Sequence, residues 1–243
     1  MKISSLHLVE DGFLYLGKVP TTIAHQHYAL QLTVSWGQKI EVNNVNQTLQ
    51  ATGVYIPSQV VHQLLGASPM VLLLAFPTSK VGHYYQQKYP CNTFQELPLS
   101  QKEGLANIGK QYYNKEGTKE EIQVAYHHWR EACLPSEGMF QRMDKRIQEI
   151  LVWLQEQSGP PISAAKAAQQ IYLSTSRFLH LFRQETGVTY RRMQLWIKLI
   201  EAYQQLGEAG NLTELAYSAG FADSAHFSRT FKETFGLSPS LLF

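Results

Sequence analysis

Apolar positions in the first third of the chain come in short runs bounded by Gly, Asn and Pro. Tyr28 to Trp36, Lys39 to Val42, Gly53 to Ile56 and Met70 to Phe76 are rich in Val, Ile, Leu and Tyr, a pattern that predicts β-strands. Many short strands without helices between them predict a sandwich or barrel. From Ser100 the period lengthens to that of a helix. Leu105, Ile108 and Tyr112 trace one apolar stripe; Ile122, Ala125, Tyr126, Trp129 and Cys133 trace another. Ser100 with Glu103, and Thr118 with Glu121, have capping-box spacing. Two helices are expected, the second with a face for the strands or for a second copy of the chain. His127 and His128 on that second helix read as surface residues. Pro135, Ser136, Glu137 and Gly138 break the pattern, and the remainder reads as helices. The expected fold class is α+β and multidomain: a β-barrel over 1–97, a helical connector and candidate dimerisation element over 98–138, and an all-α domain over 139–243.

The helical region contains an internal repeat offset by 49 residues. Ala167, Phe178, Phe182, Arg183 and Gly187 recur as Ala216, Phe227, Phe231, Lys232 and Gly236. Each copy starts with a helix of small residues (163–169 and 213–218), makes a tight link and enters a second helix behind Ser174 or Asp223. Each second helix stops at a glycine, the residue favoured past a helix end. Two helices joined by a short turn are a helix-turn-helix, and two copies are predicted.

At 100° per residue, Phe178, Leu181 and Phe182 share one side of the first copy's second helix, as Phe227 and Phe231 do in the second. Burying those sides turns Ser176, Leu179, His180 and Arg183 outward in one copy, and Ser224, Ala225, Ser228, Arg229 and Lys232 in the other. Helices of this size fit a DNA major groove about 12 Å wide. Arg229 has the chemistry to bond a guanine at two atoms, whereas Arg183 and Lys232 suit phosphates. Between the copies, 190–206 reads as a helix on the order of 25 Å long, with Trp196, Leu199, Ile200, Tyr203 and Leu206 on one side. Such a helix could hold two reading helices at a spacing comparable with a DNA turn of about 34 Å.

Composition narrows the classes. With 243 residues, 44% hydrophobic and 16% charged, the chain is neither disordered nor fibrous. Its longest apolar run, Val71 to Phe76, is far short of a bilayer span, so no membrane partner is expected. His7, Glu10 and Asp11 interrupt the start and argue against a secretory signal. Two cysteines, Cys91 and Cys133, without metal-type spacing suit reduced thiols in a cytoplasm. The net charge of +2 lies wholly after residue 138, with eleven Lys/Arg against nine Asp/Glu; the earlier part holds ten of each and seven of the nine His.

The run LSTSRFLHLFRQETG (173–187), then Lys198, Leu199 and Ala202, then LTELAYSAGFADSAHFSRTFKETFGLSPS (212–240), resembles the DNA-binding domain of AraC-family transcription regulators. The Gly220-Phe221, Phe227 to Lys232 and Gly236 to Pro239 elements carry the likeness most specifically. The resemblance implies promoter binding to double-stranded DNA, usually as an activator that works with RNA polymerase. It also implies a separate N-terminal domain that senses a small-molecule effector or forms a homodimer. Three features depart from the family pattern. Lys198 stands where Arg is usual, Leu241-Leu242-Phe243 replace the usual terminal aromatic-Arg, and the apolar Leu179 sits on a reading face, which favours thymine methyls or DNA shape.

In the strand-rich part, His25, His27 and Gln31 alternate onto one face of a strand pattern, and Gly53-x3-Pro57-x4-His62 follows. This spacing is similar to the two motifs of cupin barrels, which hold a metal with three His and a Glu. The rival reading is therefore a metal-dependent cupin enzyme with a helical DNA-binding tail. Gln31 replaces the carboxylate and weakens the attraction for a divalent ion, so the expectation is no metal, no cofactor and no enzyme. His25, His27, Gln31 and His62 then line a ligand pocket or satisfy polar groups. Trp36, Tyr28 and Tyr55 are expected in core packing more than as pocket walls.

Overall fold

A computed structural model of the chain describes residues 4–19, 21–65, 68–113, 117–134, 143–157, 161–205, 211–236 and 238–239. The breaker at 135–138, Leu206 and the terminal 241–243 lie outside them. The chain forms two compact units, residues 1–139 with 232–242, and residues 140–231 with 243.

The first unit is built on two antiparallel sheets. Strands β1 (Ser4–Val9), β2 (Gly12–Lys18), β3 (Leu30–Ser35), β6 (Gly53–Ile56), β8 (Pro69–Ala75) and β9 (Gln95–Glu96) form the larger, in the order β1-β2-β8-β3-β6-β9. Strands β4 (Ile40–Asn43), β5 (Thr48–Ala51) and β7 (Gln63–Leu65) form the smaller, in the order β5-β4-β7. Among the described residues no strand ladder joins the two sheets into a closed barrel.

The larger sheet is buried on both faces. Leu32, Val34, Tyr55, Leu73 and Leu14 pack with helices α1 (Lys80–Lys88), α2 (Leu99–Tyr112) and α3 (Lys119–Cys133). Tyr15, Val54, Ile56, Met70 and Leu72 pack with Ile40, Val42 and Leu64 of the smaller sheet. Two-sided burial explains why β2 reads as a continuous apolar run; β3 alternates Leu30, Leu32 and Val34 with Gln31, Thr33 and Ser35 yet is buried throughout. Tyr55 stacks on Tyr85 at 5.4 Å, and Trp36 meets Tyr113 at 5.6 Å, so both are core residues against the helices. Residues 232–242 also belong to this unit: the Tyr28 and Ala29 amides donate to the Glu233 and Thr234 carbonyls, and the rings of Phe13 and Phe235 meet edge-on.

The two expected capping boxes have different outcomes. Thr118 accepts from the Glu121 amide while Glu121 accepts from the Thr118 amide, a complete box. The α2 helix begins one residue before Ser100, behind Pro98, with no side-chain cap; proline, which cannot donate, takes the cap position and leaves Ser100 inside the first turn. The α3 stripe of Ile122, Tyr126 and Trp129 is buried in the first unit's own core. That stripe is therefore taken up within the chain itself. Asp11, in the β1–β2 turn, anchors α3 further. It accepts from Tyr126 Oη at 2.9 Å, Arg130 Nε at 2.7 Å and the Val81 amide at 3.0 Å.

In the second unit, α4 (Lys145–Gln155), α5 (Ala164–Gln170), α6 (Thr175–Thr186) and α7 (Tyr190–Gln204) share a core of Ile147, Ile150, Ala167, Phe178, Phe182 and Met193. Helix α8 (Leu212–Ser218) and the part of α9 (Ser224–Phe235) before Lys232 follow in this unit; the last turn of α9 belongs to the first.

Candidate nucleic-acid interface and histidine cluster

The repeat predicted from sequence is a repeat of structure. Helices α5 and α8 are each 7 residues, and α6 and α9 are each 12. Ala167 and Ala216, both fully buried, supply the small side chains that let each helix pair pack closely. Ser174 caps α6 by accepting from the Arg177 amide, and Asp223 accepts from the His226 amide at 2.6 Å at the start of α9. Gly187 and Gly236 both have φ 72°, where a side chain would be strained.

The turns also correspond. In each, the residue after the first helix's cap is left-handed: Tyr172 at φ 55° in the first, Gly220 at φ 71° in the second. The Leu173 amide then donates back to Ala168, and the Phe221 amide to Ala216. Four residues separate α5 from α6 and five separate α8 from α9, so the second turn is one residue longer. Lys198 of α7 fastens the second turn, donating to the Gly220 carbonyl at 2.9 Å with its ammonium 5.7 Å from the Phe221 ring centre.

Phe178, Leu181, Phe182, Phe227 and Phe231 are buried, as their spacing required. Ser176, Leu179, His180 and Arg183 on α6 are exposed, as are Ala225, Arg229 and Lys232 on α9; Ser224 and Ser228 are half-buried. Leu179 leaves 40% of its surface in solvent. Among the described residues Arg183, Arg229 and Lys232 form no ion pair, so their charges are available to a polyanion. The α7 stripe is Tyr190, Met193, Trp196, Leu199 and Ala202, with Ile200 and Tyr203 half-buried at its margin.

In the first unit, His25, His27 and His62 come together. Their ring centres are 4.4 to 5.6 Å apart, and one nitrogen from each ring lies within 4.8 Å of the others. The sequence pattern placed His25 and His27 on a strand; they precede β3, and His25 joins only an isolated two-bond bridge with His62. Gln31 does lie on β3, and its amide adjoins His27 Nε2 at 3.1 Å and Thr33 Oγ1 at 2.6 Å. Burial pushes the His27 imidazole down to about 4, and burial with His27 alongside pushes His62 down to about 3. Both rings are neutral at pH 7. Gly236 borders the cluster within the same unit: a methyl there would lie 2.6 Å from His27 Cδ2 and 2.9 Å from His25 Nε2.

The profile of a helix-turn-helix domain matches residues 167–243. The HTH-type transcriptional activator RhaS of Escherichia fergusonii is 33% identical over 97 residues, 40% of this chain and 35% of that protein. RhaS of Salmonella schwarzengrund matches with the same identity and coverage. The matched stretch thus spans about a third of these curated relatives. An apo ToxT variant from Vibrio cholerae aligns over 99% of this chain and 96% of its own, with TM-score 0.56 and 15% identity. Wild-type ToxT bound to an unsaturated fatty acid aligns over 100% and 96%, with TM-score 0.53 and 14% identity. Residues 167–243 therefore carry a helix-turn-helix domain similar to that of the RhaS transcriptional activators.

The ToxT likeness shows that a sheet-rich N-terminal region and a helical C-terminal region follow a known fold. Lys198, where the resemblance leads one to expect Arg, is still a cation and bonds the second turn. Sequence reasoning did not foresee this role, nor the left-handed Tyr172; the offset of Lys198 from Gly220 carries no local signal. No helix of the described residues is long and apolar enough to cross a membrane.

Proposed function

We propose that this chain is a cytoplasmic AraC-family regulator that binds specific double-stranded promoter DNA through α6 and α9, and that it activates transcription with RNA polymerase. The observation that carries this reading is the duplicated pair of helices, of matching lengths, each reading helix with a buried phenylalanine side and an outward side bearing unpaired cations. Ser176, Leu179 and His180 of α6, and Ser224, Ala225, Ser228 and Arg229 of α9, face base edges. Arg183 and Lys232 neutralise phosphates. Activation is inferred from the RhaS relatives, which are named as activators.

The first unit is the controlling part, cupin-like in its strands; the functional division we propose for the chain is 1–97, 98–138 and 139–243, with 98–134 packed in the first unit's core and 232–242 counted with that unit. The fatty acid in ToxT supports a small molecule as the effector class. A homodimer would have to use a surface other than the buried face of α3.

The test is binding of the purified full chain to duplexes from the region upstream of its own gene, over a salt series, followed by a hydroxyl-radical footprint. The reading requires sequence-selective binding that weakens with salt and protection of two successive major grooves on one face of the duplex. Equal affinity for all fragments would overturn it.

A further inference from the structure

The turn between α5 and α6 holds a residue that the fold does not explain. Tyr172 sits there at φ 55° with 96% of its surface in solvent, and among the described residues its side chain makes no hydrogen bond and no ring contact. A left-handed backbone is unfavourable for a residue with a Cβ, and an exposed ring offers nothing in return. The second turn is built the same way around glycine. The Tyr172 amide donates to the Gln169 carbonyl at 3.2 Å and the Leu173 amide to Ala168 at 3.0 Å; the Gly220 amide donates to Tyr217 at 3.0 Å and the Phe221 amide to Ala216 at 2.9 Å. Two turns with matching bonds thus differ in a strained aromatic against a relaxed glycine. Strain kept where no packing offsets it points to a use outside the chain.

Charge and position say what that use is. From Gln157 to Gln184 the sequence contains Lys166, Arg177 and Arg183 and neither Asp nor Glu, and all three cations are exposed. Asp144, ahead of α4, is near enough to feel Arg177 but is paired with Arg146. The segment around the turn therefore suits an anionic partner. In a helix-turn-helix on DNA the first helix crosses the backbone and the second enters the groove, so the turn that joins them lies at the lip of the groove, over sugars and phosphates. We propose that Tyr172 is a DNA-backbone contact of the first helix-turn-helix: its ring lies along the sugar–phosphate chain beside the groove that α6 enters, and its phenol O–H donates to a phosphate oxygen. The assignment rests on the reading of α6 as a DNA-reading helix. It differs in kind from the contacts given to Arg183 and Lys232. A phenol O–H carries no charge, so it adds affinity on any sequence without displacing a counterion. Only the first copy holds this contact, because Gly220 has no side chain to make it.

The test measures the affinity of the full chain for an upstream duplex and a scrambled duplex over a salt series. Two variants are compared with the parent: Tyr172→Phe, which loses only the O–H, and Tyr172→Asn, which tolerates the left-handed backbone but loses the ring. Tyr172→Phe should weaken binding to both duplexes about threefold to tenfold, and Tyr172→Asn at least as much. The slope of log affinity against log salt should stay as in the parent, whereas loss of a phosphate-binding cation would lower it by about one. Urea midpoints of both variants should be no lower than the parent's, since no packing is removed. Parent affinity in Tyr172→Phe, a loss confined to one duplex or a changed salt slope would overturn the assignment. A midpoint below the parent's would mean that the ring packs within the chain, and would overturn it too. The scrambled duplex reads the contact by itself, so a parent that does not discriminate between duplexes would contradict the proposed regulator and leave this test intact. A parent that binds neither duplex would overturn both.

Discussion

Gly187 and Gly236, 49 positions apart, end two helices of equal length with the same left-handed φ of 72°. A glycine at that place lets the chain turn away from the helix and leaves its cationic outer side uncovered. The same relation holds for Phe178 with Phe227 and Phe182 with Phe231, all buried. The two copies therefore present comparable faces for the same physical reason.

The two turns are not equally relaxed. Tyr172 is held at φ 55° with 96% of its surface exposed, so its ring contributes no packing to offset the backbone strain. Tyr172→Gly is expected to stabilise the second unit by about 1 kcal/mol, read as a higher urea midpoint. An unchanged or lower midpoint would show that the strain is absent.

Lys198 should act as a strut for the second helix-turn-helix. Lys198→Met, which keeps the stem and loses the bond to Gly220, should destabilise by about 0.5 to 1.5 kcal/mol, and Lys198→Arg should recover most of it. Equal stability of the Met and Arg variants would remove this role.

Asp11 is the buried partner of Arg130 and Tyr126, and deleting it leaves the guanidinium with only the more exposed Glu10 and Glu131. Asp11→Ala is expected to destabilise the first unit by about 3 to 5 kcal/mol in thermal unfolding. A loss below about 1 kcal/mol would mean that the Glu10 and Glu131 contacts of Arg130 suffice.

The histidines make stability depend on pH. His27 and His62 sit at about 4 and about 3 in the fold, below the ordinary 6.5 that they regain on unfolding. The unfolded chain therefore binds protons first as pH falls. Stability is fully present above about 6.5 and declines as pH falls towards 4 and then 3, by up to about 1.4 kcal/mol per pH unit for each ring. Urea midpoints of chelator-treated protein at pH 7.5 and 5 should differ by this sign, and His62→Gln should reduce the difference. A midpoint independent of pH over that range would contradict the burial argument.

What was legible in the sequence follows from distance along the chain. The phenylalanine spacing, the caps at Ser174 and Asp223 and the terminal glycines act within one or two helical turns, so their pattern predicted α6 and α9. Strands β1 and β2 were not singled out because β2 is buried on both faces and shows no alternation. Helix α1 was missed as well: it is short and polar, and only its cap Ser79 marks it. The contact between Asp11 and Arg130 spans 119 positions and leaves no periodic trace. For the histidines, the spacing foretold their meeting; the bonds that their Nδ1 atoms make to the carbonyls of Ile23, Ala29 and Val60 depend on loop backbone that no residue pattern encodes.

The central claim is that α9 reads bases through Arg229 while Lys232 holds the backbone. Fluorescence anisotropy at one fixed salt concentration, on an upstream duplex and on a scrambled duplex, tests it directly. Arg229→Ala should weaken binding to the upstream duplex by about 1 to 3 kcal/mol and leave the scrambled duplex nearly unchanged, whereas Lys232→Ala should weaken both alike. Equal losses on the two duplexes for Arg229→Ala would contradict the account.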